Sequence, residues 1–144
     1  MTQAVTIVMV EDDEGHARLI ERNIRRAGIY NTIRHFVDGG SALKFLFEES
    51  EGLLAQSPAL VLLDLNLPDM SGVDILARVK GDERLKRTPV VVLTTTDDKT
   101  EIQHCYDLGC NVYITKPVNY DSFATAIRQL GLFLSVIQVP EVEA

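Results

Sequence analysis

The sequence predicts a doubly wound α/β domain, an expectation carried by three observations. Short runs of Val, Ile and Leu recur five times along 144 residues, each bounded by turn-forming or charged residues, the pattern of buried strands rather than of helices. Between them lie segments with apolar residues at helical spacing, long enough for the crossovers that parallel strands require. Four of the five runs end in residues able to do chemistry: acids after the first and third, a hydroxyl after the fourth, an ammonium after the fifth.

Taken in order, Val5-Thr6-Ile7-Val8-Met9-Val10 is a β-branched run that stops at Glu11-Asp12-Asp13-Glu14, a first strand delivering carboxylates to its end. Ala17, Ile20, Ile24 and Ala27 mark the inner stripe of a helix, with Arg18, Glu21, Arg22, Arg25 and Arg26 on its other side and Gly28 as its stop. Thr32-Ile33-Arg34-His35-Phe36-Val37 carries Arg and His, which suits an edge strand, and closes at Asp38-Gly39-Gly40. Ser41 is expected to cap a helix through Leu43, Phe45, Leu46 and Phe47.

After a loop closed by Ser57-Pro58, the run Leu60-Val61-Leu62-Leu63 drives Asp64 off the end of a buried third strand into the loop Leu65-Asn66-Leu67-Pro68-Asp69-Met70-Ser71. A helix from about Gly72 to Lys80 should turn Val73, Leu76 and Val79 inward. Pro89-Val90-Val91-Val92-Leu93 is the fourth strand, ending at Thr94-Thr95-Thr96, and Asp97 and Asp98 stand where helix N-terminal acids belong. That helix runs to Leu108 and closes at Gly109. Val112-Tyr113-Ile114-Thr115 is the fifth strand, ending at Lys116-Pro117, and Asp121 or Ser122 begins a long last helix.

Composition narrows the class. A chain that is 46% hydrophobic and 24% charged, with no shift along its length, reads as one domain over 1–144 with a core of about residues 5–130. A net charge of -7 argues against a nucleic-acid partner, which would call for clustered Lys and Arg. The N-terminus lacks a basic region before an apolar segment, and no charge-free stretch is long enough to span a bilayer, so the expected location is cytoplasmic with no membrane contact. Cys105 and Cys110 have no second Cys or His pair beside them and are read as buried small apolar residues.

In a parallel sheet all carboxyl ends share one edge, and such folds place their sites there, near the switch in strand order. With the order 2-1-3-4-5, Glu11, Asp12, Asp64, Thr94 and Lys116 line one cleft. Two carboxylates about 5 Å apart repel by roughly 3 kcal/mol at an effective dielectric near 20, so three together call for a cation. Oxygen ligands without Cys or clustered His favour Mg²⁺ or Mn²⁺, and Mg²⁺ characteristically shares a carboxylate with a phosphoryl oxygen. Lys116 offers such a group a point charge and Thr94 a hydrogen bond. A purely structural account would instead have Lys116 pair with the acids and Thr94 cap the following helix.

Val10-Glu11-Asp12-Asp13, Asp64-Leu65-Asn66-Leu67-Pro68 with Gly72 following, Thr94-Thr95 and Lys116-Pro117 together resemble the receiver domain of two-component response regulators, of flavodoxin-like (βα)5 topology. The resemblance implies that Asp64 accepts a phosphoryl group from a histidine kinase, with Asp12, Asp64 and the backbone carbonyl of Asn66 holding Mg²⁺ and Glu11 reaching it through water. It further implies that Lys116 contacts the phosphoryl group, that Thr94 turns inward to it, that Tyr113 follows as an aromatic switch, and that the first helix meets the kinase. Thr95 and Thr96, beside the site, are expected to tune the lifetime of the phosphorylated state. The segment Arg84 to Thr95 and the apolar tail are similar to single-domain regulators paired with phytochrome-type histidine kinases.

The expected function is therefore a stand-alone phospho-acceptor that moves phosphate as a signal rather than an enzyme turning over a metabolite. A Mg²⁺-dependent phosphatase working through an aspartyl-phosphate is disfavoured, because such an enzyme usually has an acid two residues after the nucleophile, where this chain has Asn66. A flavin or nucleotide carrier of the same topology is disfavoured by the acidic first turn, Glu11 to Gly15, where a phosphate cradle needs Gly and free amides. Finally, Leu130, Leu132, Phe133, Leu134, Val136 and Ile137 leave the last helix almost no polar side. That excess predicts a symmetric homodimer through this helix, its neighbouring strand and the tail Val136 to Pro140, the alternative being that the end of the helix folds back on its own core.

Overall fold

The computed structural model describes residues 5–26, 28–49, 59–116 and 125. Strand β1, Thr6–Val10, is followed by α1, Glu14–Arg26, then the short strand β2, Ile33–Phe36, and α2, Gly39–Lys44. The second helix runs into a π-type turn over Phe45–Glu49. Strand β3, Ala59–Leu63, leads to α3, Gly72–Gly81; β4, Val90–Thr94, leads to α4, Lys99–Leu108; and β5 spans Val112–Thr115. All strand pairs are parallel and the order is β2-β1-β3-β4-β5, the doubly wound arrangement expected. The last helix and the tail proposed to form a dimer face lie outside the described residues.

Alternation along the strands builds two cores. Val8, Val10, Val61, Leu63, Val90 and Val92 point to the side covered by α2, α3 and α4, where Phe45, Leu46, Ile75, Leu76 and Val79 meet them. Ile7, Met9, Leu60, Leu62, Val91 and Leu93 point to the other side, against Ala17, Ile20 and Ile24 of α1. The central strands β1, β3 and β4 are thus buried on both faces, which explains why they read as unbroken apolar runs. Strand β2 has half-buried Ile33 and Phe36 at its ends and exposed Arg34 and His35 between them, and among the described residues it pairs only with β1, the edge strand its polar residues predicted. Cys105 and Cys110 are both buried in the first of these cores. Burial pushes both thiols up, that of Cys110 to about 11, so they behave as small apolar groups.

Three local expectations are corrected. The second helix is capped by Asp38, not Ser41: the Asp38 carboxylate accepts from the Ser41 N–H at 2.7 Å and helical geometry begins at Gly39. In α3 the inward stripe is Gly72, Ile75, Leu76 and Val79, with Val73 only half-buried. Val73, Leu76 and Val79 fit a three-residue spacing, whereas the true stripe follows 3.6 and takes in Ile75. On α1, Arg25 does not belong to the basic outer face, since its guanidinium folds back to donate to the carbonyls of Ile29 and Asn31 at 3.1 and 2.7 Å. Arg18, Arg22 and Arg26 remain exposed there beside Leu19.

Candidate functional site

Strand register brings the chemistry together. Val10 lies opposite Leu63, so the next residues on each strand, Glu11 and Asp64, emerge side by side. Strands β4 and β5 pair Thr94 with Thr115, which sets Lys116 one step beyond the end of the ladder, its N–H bonded to the Thr94 carbonyl. The Asp64 N–H donates to the Val10 carbonyl at 3.0 Å and the Glu11 N–H to the Phe36 carbonyl at 3.0 Å. Both acids are therefore held by the sheet itself, not by a loop.

Glu11, Asp64 and Thr94 are the buried polar or charged residues among those described, at 1, 6 and 0% exposure. Glu11, Asp12 and Asp64 can each present a carboxylate oxygen within 4.8 Å of the other two. The Lys116 ammonium lies 2.7 Å from Glu11 Oε1 and 3.5 Å from Asp64 Oδ2. Burial raises the Glu11 carboxyl above its ordinary value, a rise to which the Asp64 charge adds and which the Lys116 hydrogen bond opposes. The set is wholly oxygen, densely anionic and only partly neutralised by one lysine. It fits a hard divalent cation with open positions for water and a ligand oxygen.

The loop after β3 closes over this centre. The Asn66 N–H donates to Asp64 Oδ1 at 3.1 Å, and the Asn66 amide donates to the hydroxyls of Thr94 at 3.3 Å and Thr95 at 3.5 Å. Thr94 is thus tied to the acid loop, while α4 is capped by Asp98, whose carboxylate accepts from the Glu101 N–H. The structural account of the cluster is half met: Lys116 does pair with the acids, but Thr94 caps nothing. Tyr113 lies half-buried on β5, its hydroxyl donating to the Thr96 carbonyl at 2.7 Å and its N–H to the Tyr106 hydroxyl at 3.0 Å. Burial pushes the Tyr113 phenol to about 12, so it stays a donor across the physiological range.

Three further contacts at the site were not anticipated. Asp69 accepts from the N–H groups of both Gly39 and Gly40 at 2.8 Å, strapping the acid loop to the start of α2. His35 Nε2 donates to the Glu11 carbonyl at 2.7 Å, so the edge strand does reach the centre. His16, in the first turn of α1, brings Nδ1 to 3.1 Å from Lys116 Nζ. Only His16 left a signal in the sequence, as a lone imidazole one helical turn past the acids.

A parallel sheet in this order, with an acidic trio, a hydroxyl and an ammonium along its carboxyl edge, is the architecture of a phosphoryl-accepting signalling module. The response regulator receiver domain matches residues 7–128, and the chain belongs to that family. It is 65% identical to a response regulator receiver domain from Rhodospirillum rubrum of known structure, with a TM-score of 0.80 over 97% of this chain and 100% of the other. It is similar also to the phosphorylated cyanobacterial phytochrome response regulator RcpA, at 37% identity and a TM-score of 0.78 over 96% and 99% of the two chains. The response regulator Rcp1 of Synechocystis is 34% identical over 93% of this chain and 92% of its own length. The protein is accordingly a response regulator of a two-component system. Among the described residues no helix is long and apolar enough to cross a membrane.

Proposed function

We propose that Asp64 is the phospho-acceptor, that Glu11, Asp12, Asp64 and the Asn66 carbonyl hold Mg²⁺, and that Lys116 and Thr94 bind the phosphoryl oxygens. The observation that carries this reading is a buried carboxylate held beside two further acids within 4.8 Å and a lysine ammonium at 3.5 Å. A bound Mg²⁺ would supply positive charge against the three acids and the incoming phosphoryl oxygens. An Asp64 oxygen forms the new bond to phosphorus as the P–N bond of the donor phosphohistidine breaks, and the electron pair of that bond stays on the imidazole nitrogen. Lys116 offsets charge on the transferred group, and Thr94 exchanges its Asn66 partner for a phosphoryl oxygen. Tyr113 then responds by giving up the Thr96 carbonyl, which changes the surface beside α4.

The partner is a histidine kinase docking on the exposed face of α1, where Arg18, Arg22 and Leu19 stand together. A phytochrome-type kinase is favoured by the likeness to RcpA and Rcp1. The chain acts in the cytoplasm as a signal carrier, without nucleic acid or membrane contact and without turnover of a metabolite, and the unit is a single domain over 1–144. A homodimer through the last helix and tail is part of this reading, supported by the apolar sequence from Leu130 to Val139. The test is incubation with acetyl phosphate and Mg²⁺ followed by intact mass. A single phosphoryl adduct, absent in Asp64→Asn and with chelator, supports the assignment; an unmodified wild type refutes it.

A further inference from the structure

Lys116 must do two things at this site: stay close enough to the acids to balance them, and keep one proton free to turn toward a phosphoryl oxygen. An ammonium has three N–H donors. One goes to Glu11 Oε1 at 2.7 Å, one faces Asp64 Oδ2 at 3.5 Å, and the third meets His16 Nδ1 at 3.1 Å. Because a lysine ammonium can only donate, His16 Nδ1 accepts, and the imidazole carries its proton on Nε2. The same nitrogen lies 3.9 Å from Glu11 Oε2, too far for a hydrogen bond and wrongly disposed once its lone pair is engaged by lysine.

His16 is itself fixed from behind. The Asp13 carboxylate accepts from the His16 N–H at 2.9 Å, and the Asp13 carbonyl accepts from the Ala17 N–H at 2.9 Å, so the first turn of α1 is capped at the residue that aims the imidazole. The Lys116 side chain is only 10% exposed, whereas that of His16 is 46% exposed. The imidazole thus forms the outer wall of the pocket that holds the ammonium.

We propose that His16 is a positioning residue for phosphoryl transfer: its Nδ1 lone pair anchors Lys116 Nζ between Glu11 and Asp64. When an Asp64 oxygen becomes bonded to phosphorus as an acyl phosphate and the carboxylate charge is lost, the two contacts that still hold Lys116 are Glu11 and His16, and the Lys116 N–H that faced Asp64 Oδ2 is the one presented to the phosphoryl oxygen. Without His16 the ammonium has a second donor to satisfy, and settles on Asp64 or on water instead of standing ready.

This inference rests on Asp64 being the phospho-acceptor. The test compares rates of phosphorylation by acetyl phosphate with Mg²⁺, a donor that bypasses kinase docking, in wild type, His16→Ala and His16→Asn. The Asn carbonyl oxygen takes the place of Nδ1, so it restores the acceptor without the ring. Because the His16 side chain is half exposed, its hydrogen bond carries the ordinary net worth rather than that of a buried charged pair, which predicts that His16→Ala is phosphorylated about three- to tenfold more slowly, while His16→Asn returns to within about twofold of wild type and all three melt together. His16→Ala reacting at the wild-type rate overturns the proposal, as does His16→Asn being as slow as His16→Ala, or a slow His16→Ala whose melting temperature has also fallen. A wild type that accepts no phosphoryl group would instead overturn the assignment of Asp64.

Discussion

Asp69 is the residue whose contribution contrasts most with its appearance. It is an exposed acid in a loop, yet both of its oxygens are taken by backbone N–H groups, those of Gly39 and Gly40. These hydrogen bonds hold its carboxyl below the ordinary value of 3.8, the Gly39 N–H contributing most. A carboxyl whose value is depressed by folding stabilises the native state above its unfolded value and loses that contribution as the pH falls through the folded one. Asp69→Asn should therefore be less stable than wild type at pH 7, and the gap should narrow as the pH falls below the ordinary value of 3.8 toward the lower value at which the native carboxyl takes up its proton. Urea denaturation at pH 7, 5 and 3 checks this; a gap of constant size would mean that the charge of Asp69 is not what holds the loop. Lys80 offers a structural counterpart at the opposite edge. Its ammonium donates to the carbonyls of Lys86 and Thr88 and to Asn111 Oδ1, and its value is lowered by desolvation.

At the scale of the elements, the loop from Asp64 to Ser71 turns on how closely α3 starts beneath it. The Gly72 N–H donates to the Leu65 carbonyl at 2.8 Å, and a Cβ at Gly72 would overlap the Asp64 carbonyl oxygen and lie 2.7 Å from Leu65 Cα. Those neighbours are backbone and cannot swing aside. Gly72→Ala must push β3 and α3 apart at Asp64, at a cost of about 1–3 kcal/mol typical of overpacking, and should slow the proposed phosphorylation of Asp64 as well. Denaturant midpoints together with acetyl phosphate labelling test both parts, and a variant of wild-type stability would show that the helix can shift freely. Gly109 is constrained differently. It ends α4 at φ 110°, a left-handed conformation, with its N–H returned to the Tyr106 carbonyl. The helix must stop there for Cys110 to reach the core and for Asn111 to accept from the Val90 N–H at the head of β4.

For the whole molecule, the two faces of the sheet are unequally covered by the described helices. On one side β1, β3 and β4 pack in one cluster with α1, whereas Val112 and Ile114 of β5 on that same side are half-buried. A last helix following β5 is expected from sequence to cover them, and its surplus of apolar residues, Leu130 to Ile137, is what the dimer would bury. Light scattering at tens of micromolar protein should give the mass of a dimer, and a monomer both with and without phosphorylation would rule that assembly out. The overall charge of -7 leaves the exposed Arg18 and Arg22 on α1 as a local exception, which suits steering by an acidic partner surface and a salt-dependent association rate.

Legibility differed with range. The strands, the helix stripes and the chemical residues at strand ends were readable because each depends on period and punctuation within a dozen residues. From them follows a parallel sheet with these groups along one edge; that Glu11, Asp12, Asp64, Thr94 and Lys116 meet depends on the order β2-β1-β3-β4-β5, which the strand pairing supplies. The cap of α2 was misplaced by three residues because Asp38 and Ser41 are both good capping types, and only backbone geometry tells which one stands outside the helix. The contacts that complete the site span far more chain: Asp69 reaches back 30 residues to Gly39, His35 bonds a carbonyl 24 residues before it, and His16 meets a lysine 100 residues later. No local pattern encodes such pairs. They arise when the sheet register fixes which strand ends are neighbours, and the surrounding donors and acceptors must then find partners within the space that remains. The sequence by itself determined which chemical groups stand at the strand ends; the tertiary structure decided what holds them in place.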